Sequence, residues 1–262
     1  MITGLVAIVT LFTILWIVSV RLEDSSIVDI AWAPGILILA LTYYATSDGA
    51  PPRARVTVAL VAVWAIRLGW HLFVRNQEQG EDARYELLRS RRGPSWWWYS
   101  YFRVFLLQAV TAWVVSIPLY FAIVSVAPRT LTLVDYLGVV VFLAGFVCEA
   151  ISDEQLRRFR NEPRNVKLVL ETGLWRYSRH PNYFGESLVW WGFGLIGAAT
   201  GGAIGLIVPL MLTYFLMNVS SMLLERSLLR NRRAYASYVA TVPAFVPIPA
   251  DWLASAKLPR SK

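Results

Sequence analysis

Gly4-Leu-Val-Ala-Ile-Val-Thr-Leu-Phe-Thr-Ile-Leu-Trp-Ile-Val-Ser-Val20 runs for seventeen residues without a charge. A helix rises about 1.5 Å per residue, so such a run approaches the length needed to cross a hydrocarbon core roughly 30 Å thick. No basic segment precedes it, and no small-x-small cleavage signal stands before Arg21-Leu22-Glu23-Asp24. It therefore reads as a retained helix and not as a signal peptide. Six further apolar stretches follow, at 27–46, 56–74, 101–124, 133–151, 182–199 and 203–224. Of the 262 residues 56% are hydrophobic and 16% charged, against roughly 45–50% and 25% in an ordinary soluble domain. The expected fold class is all-α: a polytopic integral membrane protein with seven transmembrane helices, residues 1–262 forming a single membrane domain. Pro34 and Pro118 fall inside spans, where neighbouring helices must satisfy the backbone groups that proline frees. Thr200-Gly201-Gly202 leaves only a tight hairpin between the last two spans.

The net charge of +8 is not spread evenly. With the N-terminus outside, the inner segments 21–26, 75–100, 152–181 and 225–262 hold 20 of the 25 Lys and Arg, and the outer gaps 47–55, 125–132 and 200–202 hold 3. That bias predicts a cytoplasmic C-terminus and a multi-pass protein of the cell inner membrane. Cations placed in this way are topology determinants, so the lipid bilayer is the expected partner and nucleic acid is not. Trp96-Trp97-Trp98-Tyr99 and Trp175 read as interfacial aromatics, and Ala254 to Lys262 as a loose tail. Two histidines and one cysteine, Cys148, give no spacing for a metal site and no intrachain disulfide. Gly192-Phe-Gly194-Leu-Ile-Gly197 matches a dinucleotide fingerprint in letters only. It lies inside an apolar span with no acidic residue until Glu225, so it reads as small-residue helix contact.

Polar chemistry gathers in 149–186. Asp153, Arg157 and Arg160 fall at i, i+4 and i+7, on one helical face, where Asp153 can pair with Arg157 and the guanidinium forks suit phosphate oxygens. Pro181 can open a helix, which puts Asn182 and Glu186 one turn apart at the membrane edge. A carboxylate there is costly and is a functional candidate by default. His180 stands just outside it. On the third span Trp64, Arg67 and His71 share a face, and Asp29 on the second span can pair with Arg67. Glu225 ends the last span, and Arg232, Tyr235 and Tyr238 follow on a short amphipathic helix.

The string Gly173-Leu-Trp175-x-Tyr177-Ser-Arg179-His180-Pro181-Asn182-Tyr183-Phe-Gly185-Glu186 is similar to the signature of the bacterial domain-of-unknown-function 1295 (DUF1295) family, which is related to the steroid 5α-reductase C-terminal domain. Ser152-Asp153-x-Gln155-Leu-x-x-Phe159 and Gly80-Glu81-Asp82-x-Arg84-Tyr85 resemble the same family, and the likeness runs from about residue 25 to 250. It implies a seven-helix fold that holds NADPH through a reductase-type part at 149–250. The positions it carries over for the cofactor are Asp153, Arg160, Asn182 and Glu186, with Arg67 on the cofactor side. Arg157, Tyr177, Arg179, His180, Tyr183, Glu225 and Tyr235 complete the expected cofactor set. On the substrate side the resemblance matches Trp64 to a catalytic tyrosine and Asp29, loosely, to a catalytic acid. The implied reaction adds a hydride to the β-carbon of an α,β-unsaturated ketone in a lipophilic substrate, a steroid or similar enone. Asp29 is expected to be protonated and to donate to the substrate oxygen, helped by Trp64 or Arg67, while Glu186 and Asn182 hold the nicotinamide end.

Two rival readings stand beside it. One is an S-adenosylmethionine-dependent, isoprenylcysteine-type carboxyl methyltransferase using 176–186 and 225–238. The other is a transport or structural protein, which would need polar groups near the midplane, whereas the polar residues here crowd toward one side.

Overall fold

The computed structural model describes residues 1–47, 51–166, 168–201, 203–231 and 234–248. The tail expected at 254–262 and Arg232 lie outside the described residues. Among these, the regular elements are helical and no strand occurs. Sequence reading has one domain; by contact the chain forms two compact units, Met1–Tyr136 with Phe193–Val208, and Leu137–Gly192 with the described residues from Pro209 on.

The first unit begins with α1 (Ile2–Leu22), α2 (Ile27–Ala45) and α3 (Pro52–Gln79), and α2 contacts both of the others. Then come α4 (Ala83–Arg92), α5 (Trp96–Ser100), a π-turn at Tyr101–Leu106, α6 (Leu107–Val115) and α7 (Ile117–Val124). Pro34 lacks the N–H that would bond the Ile30 carbonyl, so α2 is weakened there. Gly69 of α3 faces this spot. A methyl on it would lie 3.2 Å from Pro34 Cγ and 3.7 Å from Ile30 O, so glycine is what lets α3 close over the weak turn. Pro118 acts differently. The helix stops at Ser116 and restarts with Pro118 in its first turn, where the missing N–H costs nothing. The result is one span bent by 44°. Tyr43 OH meets Ser116 Oγ at 2.8 Å across this break.

The second unit contains α8 (Leu133–Asn161) from Leu137 on, α9 (Pro181–Ala198) as far as Gly192, α10 (Ile207–Phe215) from Pro209, α11 (Ser221–Asn231) and α12 (Tyr235–Thr241). Here α8 and α9 meet along glycines. A methyl on Gly145 would lie 2.6 Å from Gly185 O, one on Gly185 2.6 Å from Glu149 N, and one on Gly192 2.7 Å from Gly138 O. The backbones touch directly, as small residues permit between membrane helices.

Five helices are long and apolar enough to cross a bilayer: Ile2–Leu22, Ile27–Ala45, Pro52–Glu78, Leu133–Asn161 and Ala203–Arg230. The bent pair Ala83–Val115 and Ile117–Val124 makes a sixth. The chain is thus a multi-pass membrane protein with five or six such spans among the described residues. The remaining expected span, 182–199, exists as the 18-residue helix α9 but does not reach the same apolarity. Asn182, Glu186 and four glycines dilute it.

Candidate functional sites on the two units

In the second unit the loop before α9 is fastened on both sides. Gly173, with φ of 62°, sits against the Gln155 side chain, in a left-handed turn that glycine adopts readily. The Leu174 amide donates to Gln155 Oε1 at 3.0 Å, and Trp175 Nε1 donates to the Ser152 carbonyl at 3.1 Å. Both anchors are on α8. On the other side Tyr238 OH donates to the Trp175 carbonyl at 2.5 Å, and the Arg179 amide donates to Pro243 O at 2.9 Å. The 173–180 loop is therefore a rigid base for the start of α9.

Predicted site residues come together on that base. Asn182 Nδ2 donates to Asp153 Oδ1 at 3.3 Å, which joins α9 to α8. His180 Nε2 and Arg179 Nε both reach Glu225 Oε1, at 2.8 and 2.9 Å. The Tyr183 ring stacks on His180 with centroids 5.4 Å apart. Glu186 Oε1 accepts from Trp190 Nε1 at 2.8 Å, one turn further into α9. Tyr235 is buried at 3% exposure beside Tyr238. Burial, with Glu225 adding to it, pushes the Tyr235 hydroxyl up to about 12, so it stays protonated.

Other members of the predicted set are placed differently. Arg157 closes a two-bond fork on Glu154, at 2.8 and 3.0 Å, three residues away. Sequence reading paired Arg157 with Asp153 and did not name Glu154, which also takes Arg158. Arg160 is exposed at the end of α8. Tyr177 is 38% exposed, and its backbone is what binds, accepting from Ile248 N at 3.0 Å.

In the first unit Asp29 is the centre of a separate polar group. Its Oδ1 accepts from Tyr85 OH at 2.9 Å and from Gln108 Nε2 at 3.1 Å, and its Oδ2 accepts from Arg84 Nη2 at 3.1 Å. This overturns the expected Asp29–Arg67 pair: Arg84 takes the carboxylate instead. Three donors, from Arg84, Tyr85 and Gln108, thus converge on the Asp29 carboxyl group. The group continues outward. The Ser25 amide donates to Glu81 Oε1 at 2.8 Å, and Asn76 Nδ2 donates to Asp24 Oδ2 at 3.1 Å. The Asp82 amide donates to Ser26 Oγ at 2.7 Å. Trp64 is fully buried, edge-on to Trp32 at 6.2 Å and to Phe193 at 6.5 Å. Tyr85 and Gln108 are the residues that sequence reasoning missed. Tyr85 closes the quoted Gly80–Tyr85 motif, and Gln108 is a lone amide in an apolar span, the same signal that singled out Asn182.

The profile of a family described as "Protein of unknown function (DUF1295)" matches residues 15–242. The chain belongs to this family. The DUF1295 match takes in both polar groups, from Asp29 to Tyr238. The uncharacterized protein C594.04c of Schizosaccharomyces pombe is 27% identical over 222 residues, covering 75% of this chain and 64% of that protein. The chain thus spans a little under two thirds of that relative's length. No solved structure matches.

Proposed function

We propose that this DUF1295 protein uses NADPH to reduce the C=C bond of an α,β-unsaturated ketone in a lipophilic substrate. The reading includes a seven-helix inner-membrane fold with the N-terminus outside and the C-terminus cytoplasmic, where NADPH is available. The observation that carries it is the Asp153–Asn182 hydrogen bond between α8 and α9, next in the chain to Arg179 and His180 of the rigid loop, which share the Glu225 carboxylate of α11. The donor chemistry suits the cofactor. An amide offers two hydrogens and one oxygen, and Asn182 gives one hydrogen to Asp153, which leaves the rest of its capacity for a carboxamide. Glu186 stands one turn on as an acceptor. Arg160 at the exposed end of α8 suits a phosphate, and the Asp153 carboxylate suits ribose hydroxyls. When bound, the cofactor supplies the hydride.

On the substrate side the oxygen-polarising donor is the Tyr85 hydroxyl, which gives its one hydrogen to Asp29 in the free site and turns it to the ketone oxygen when substrate is bound. Negative charge develops on the ketone oxygen during the transfer, and a hydroxyl hydrogen turned onto that oxygen stabilises it. Trp64 is edge-packed among rings and serves the wall of the first unit.

Calorimetry on detergent-solubilised protein tests the cofactor directly. NADPH should bind, and Arg160→Ala should weaken it by roughly 1.5–3 kcal/mol, the scale of a hydrogen bond to a charged group. Glu186→Gln should fold and lose at least about tenfold in reduction of a 3-oxo-Δ4 steroid, on the order of 1.4 kcal/mol of barrier. Binding of S-adenosylmethionine with no response to NADPH would replace this reading with the methyltransferase one. Binding of neither would favour a non-enzymatic role.

A further inference from the structure

The segment from Arg84 to Arg103 carries five arginines, and they are not equivalent. Arg84 is engaged by Asp29 and Asp82, and Arg89 by Glu81 at 2.7 Å. Arg91, Arg92 and Arg103 are exposed, and among the described residues none of them pairs with a carboxylate. Nor are these three scattered. The Arg92 guanidinium lies over the Tyr99 ring at 4.1 Å, and Arg103 follows Tyr99 by four residues, about one helical turn. Tyr99 is therefore a plate for the Arg92 guanidinium, with Arg91 next to Arg92 in the chain at the end of α4.

Beside this cationic group stands an apolar one. Trp97 is 55% exposed, Trp98 47% and Phe102 56%. Large rings left open in this way suit the border of a bilayer, where an indole has one apolar and one wet side. The depth is fixed by α1, a helix apolar enough to span. Trp16 of α1 donates from Nε1 to the Trp97 carbonyl at 2.7 Å, and its ring lies 4.9 Å from that of Tyr101. The arginines thus sit where a span ends, next to rings that prefer lipid.

We propose that Arg92 on the Tyr99 ring, Arg103 one turn beyond Tyr99 and Arg91 beside Arg92 in the chain bind the phosphate of an anionic phospholipid whose acyl chains lie against Trp97, Trp98 and Phe102. Guanidinium forks pair with phosphate oxygens through parallel hydrogen bonds. Three uncompensated cations favour a headgroup with net negative charge over a zwitterionic one, whose amine would return a positive charge to the site. Free phosphate would make no use of the exposed rings, so the lipid is the occupant. This site is independent of the reductase reading.

The test uses the full chain in dodecyl maltoside, titrated with dioleoyl phosphatidylglycerol and read by native mass spectrometry and thermal unfolding. Dioleoyl phosphatidylcholine and inorganic phosphate are the comparison arms. Phosphatidylglycerol should stay bound and raise the unfolding midpoint, and neither comparison should match it. The double variant Arg92→Gln with Arg103→Gln should bind it on the order of thirtyfold more weakly, the loss of two basic contacts to an anionic surface. Arg129→Gln, in the 125–132 gap, should change nothing. Both altered positions are exposed, and the lipid-free midpoint checks that the double variant folds. Should it fail to fold, salt dependence decides in the unaltered protein: lipid binding must weaken as ionic strength approaches 1 M, where the Debye length is about 3 Å. The proposal is overturned if the folded double variant keeps its affinity, if phosphatidylcholine or free phosphate binds as well, or if salt has no effect.

Discussion

Arg53 and Asp135 meet at 2.7 Å with side chains 1% and 2% exposed, whereas Arg84 and Asp29 meet at 3.1 Å with side chains 67% and 17% exposed. Both pairs are in the first unit, and both put a carboxylate beside a spanning helix. In the first, two guanidinium nitrogens fork onto the two oxygens of Asp135, the third donates to Pro128 O, and Thr132 donates to Oδ2 from both its amide and its hydroxyl. Every guanidinium nitrogen and both carboxylate oxygens have a partner, and the pair is closed off from solvent. In the second, Asp29 gathers a guanidinium, a phenol and an amide from α4 and α6, and its arginine fronts solvent. A charge near a membrane is therefore not a site by virtue of position alone. A closed set of partners makes a brace, and an open set of mixed donors makes a place where one partner can be exchanged.

The largest effect expected from this contrast is at the brace. Asp135→Ala leaves the Arg53 charge buried and unpaired and should cost about 3–5 kcal/mol of stability. Replacing Arg53 and Asp135 together by Met and Leu should recover most of it. Thermal unfolding in detergent measures both, and a loss below about 1 kcal/mol in the single variant would show that the pair is not a brace. At the open group the effect should move from stability to turnover. Tyr85→Phe removes one hydrogen bond, at about 1 kcal/mol of stability, yet should lower enone reduction at least about tenfold. A variant that loses stability with full turnover would make the two regions alike. Smaller still is Arg84→Gln, expected to change the unfolding free energy by no more than about 1 kcal/mol because the side chain is largely in water.

The smallest effect is a dependence on pH. Burial, outweighing the Ser25 amide and the Arg89 guanidinium, holds the Glu81 carboxyl above its ordinary value of 4.5. The folded chain then favours the protonated form, so this contribution is complete below 4.5 and is lost as pH rises through the shifted value. Asp82 runs the other way. Burial raises it, but the bonds from Arg84 outweigh burial and lower it, so its contribution is present above the ordinary 3.8 and is lost as pH falls. Glu81→Gln should flatten the fall of the unfolding midpoint as pH rises above 4.5, by less than about 1 kcal/mol. An unchanged pH profile would assign that fall to another group.

Much of this architecture is legible before any coordinates. Segments such as Gly4–Val20 and 133–151 declare themselves because hydropathy is a local property, and they appear as α1 and within α8. The start of α9 at Pro181 is legible too, since proline at a first turn is a local rule. Partners are another matter. Asp29 finds Tyr85 and Gln108 at separations of 56 and 79 residues, and His180 finds Glu225 at 45. No periodicity selects among the arginines and tyrosines that could have served. Arg67 was the nearest plausible cation on a facing helix, and Arg84, at the start of the next helix, took its place. A local partner can be overlooked as well. Glu154 stands beside Asp153 in the chain, and a helix offers an arginine at 157 both the i−4 and the i−3 neighbour.

The glycine contacts between α8 and α9 bear on how the second unit is put together. Leucine-lined helices that meet must freeze rotamers on both sides, and Gly145, Gly185 and Gly192 have none to freeze. Their joining displaces lipid from two smooth grooves and demands almost no rearrangement, so the pair can form as soon as both helices are inserted. The same smoothness leaves no tolerance. One methyl group at Gly185 would wedge against the backbone at Glu149 and pry Asn182 away from Asp153, three residues earlier on one helix and four later on the other. The groove thus works as a fine spacing gauge, transmitting the size of a side chain inside the bilayer to the distance between polar groups at its edge.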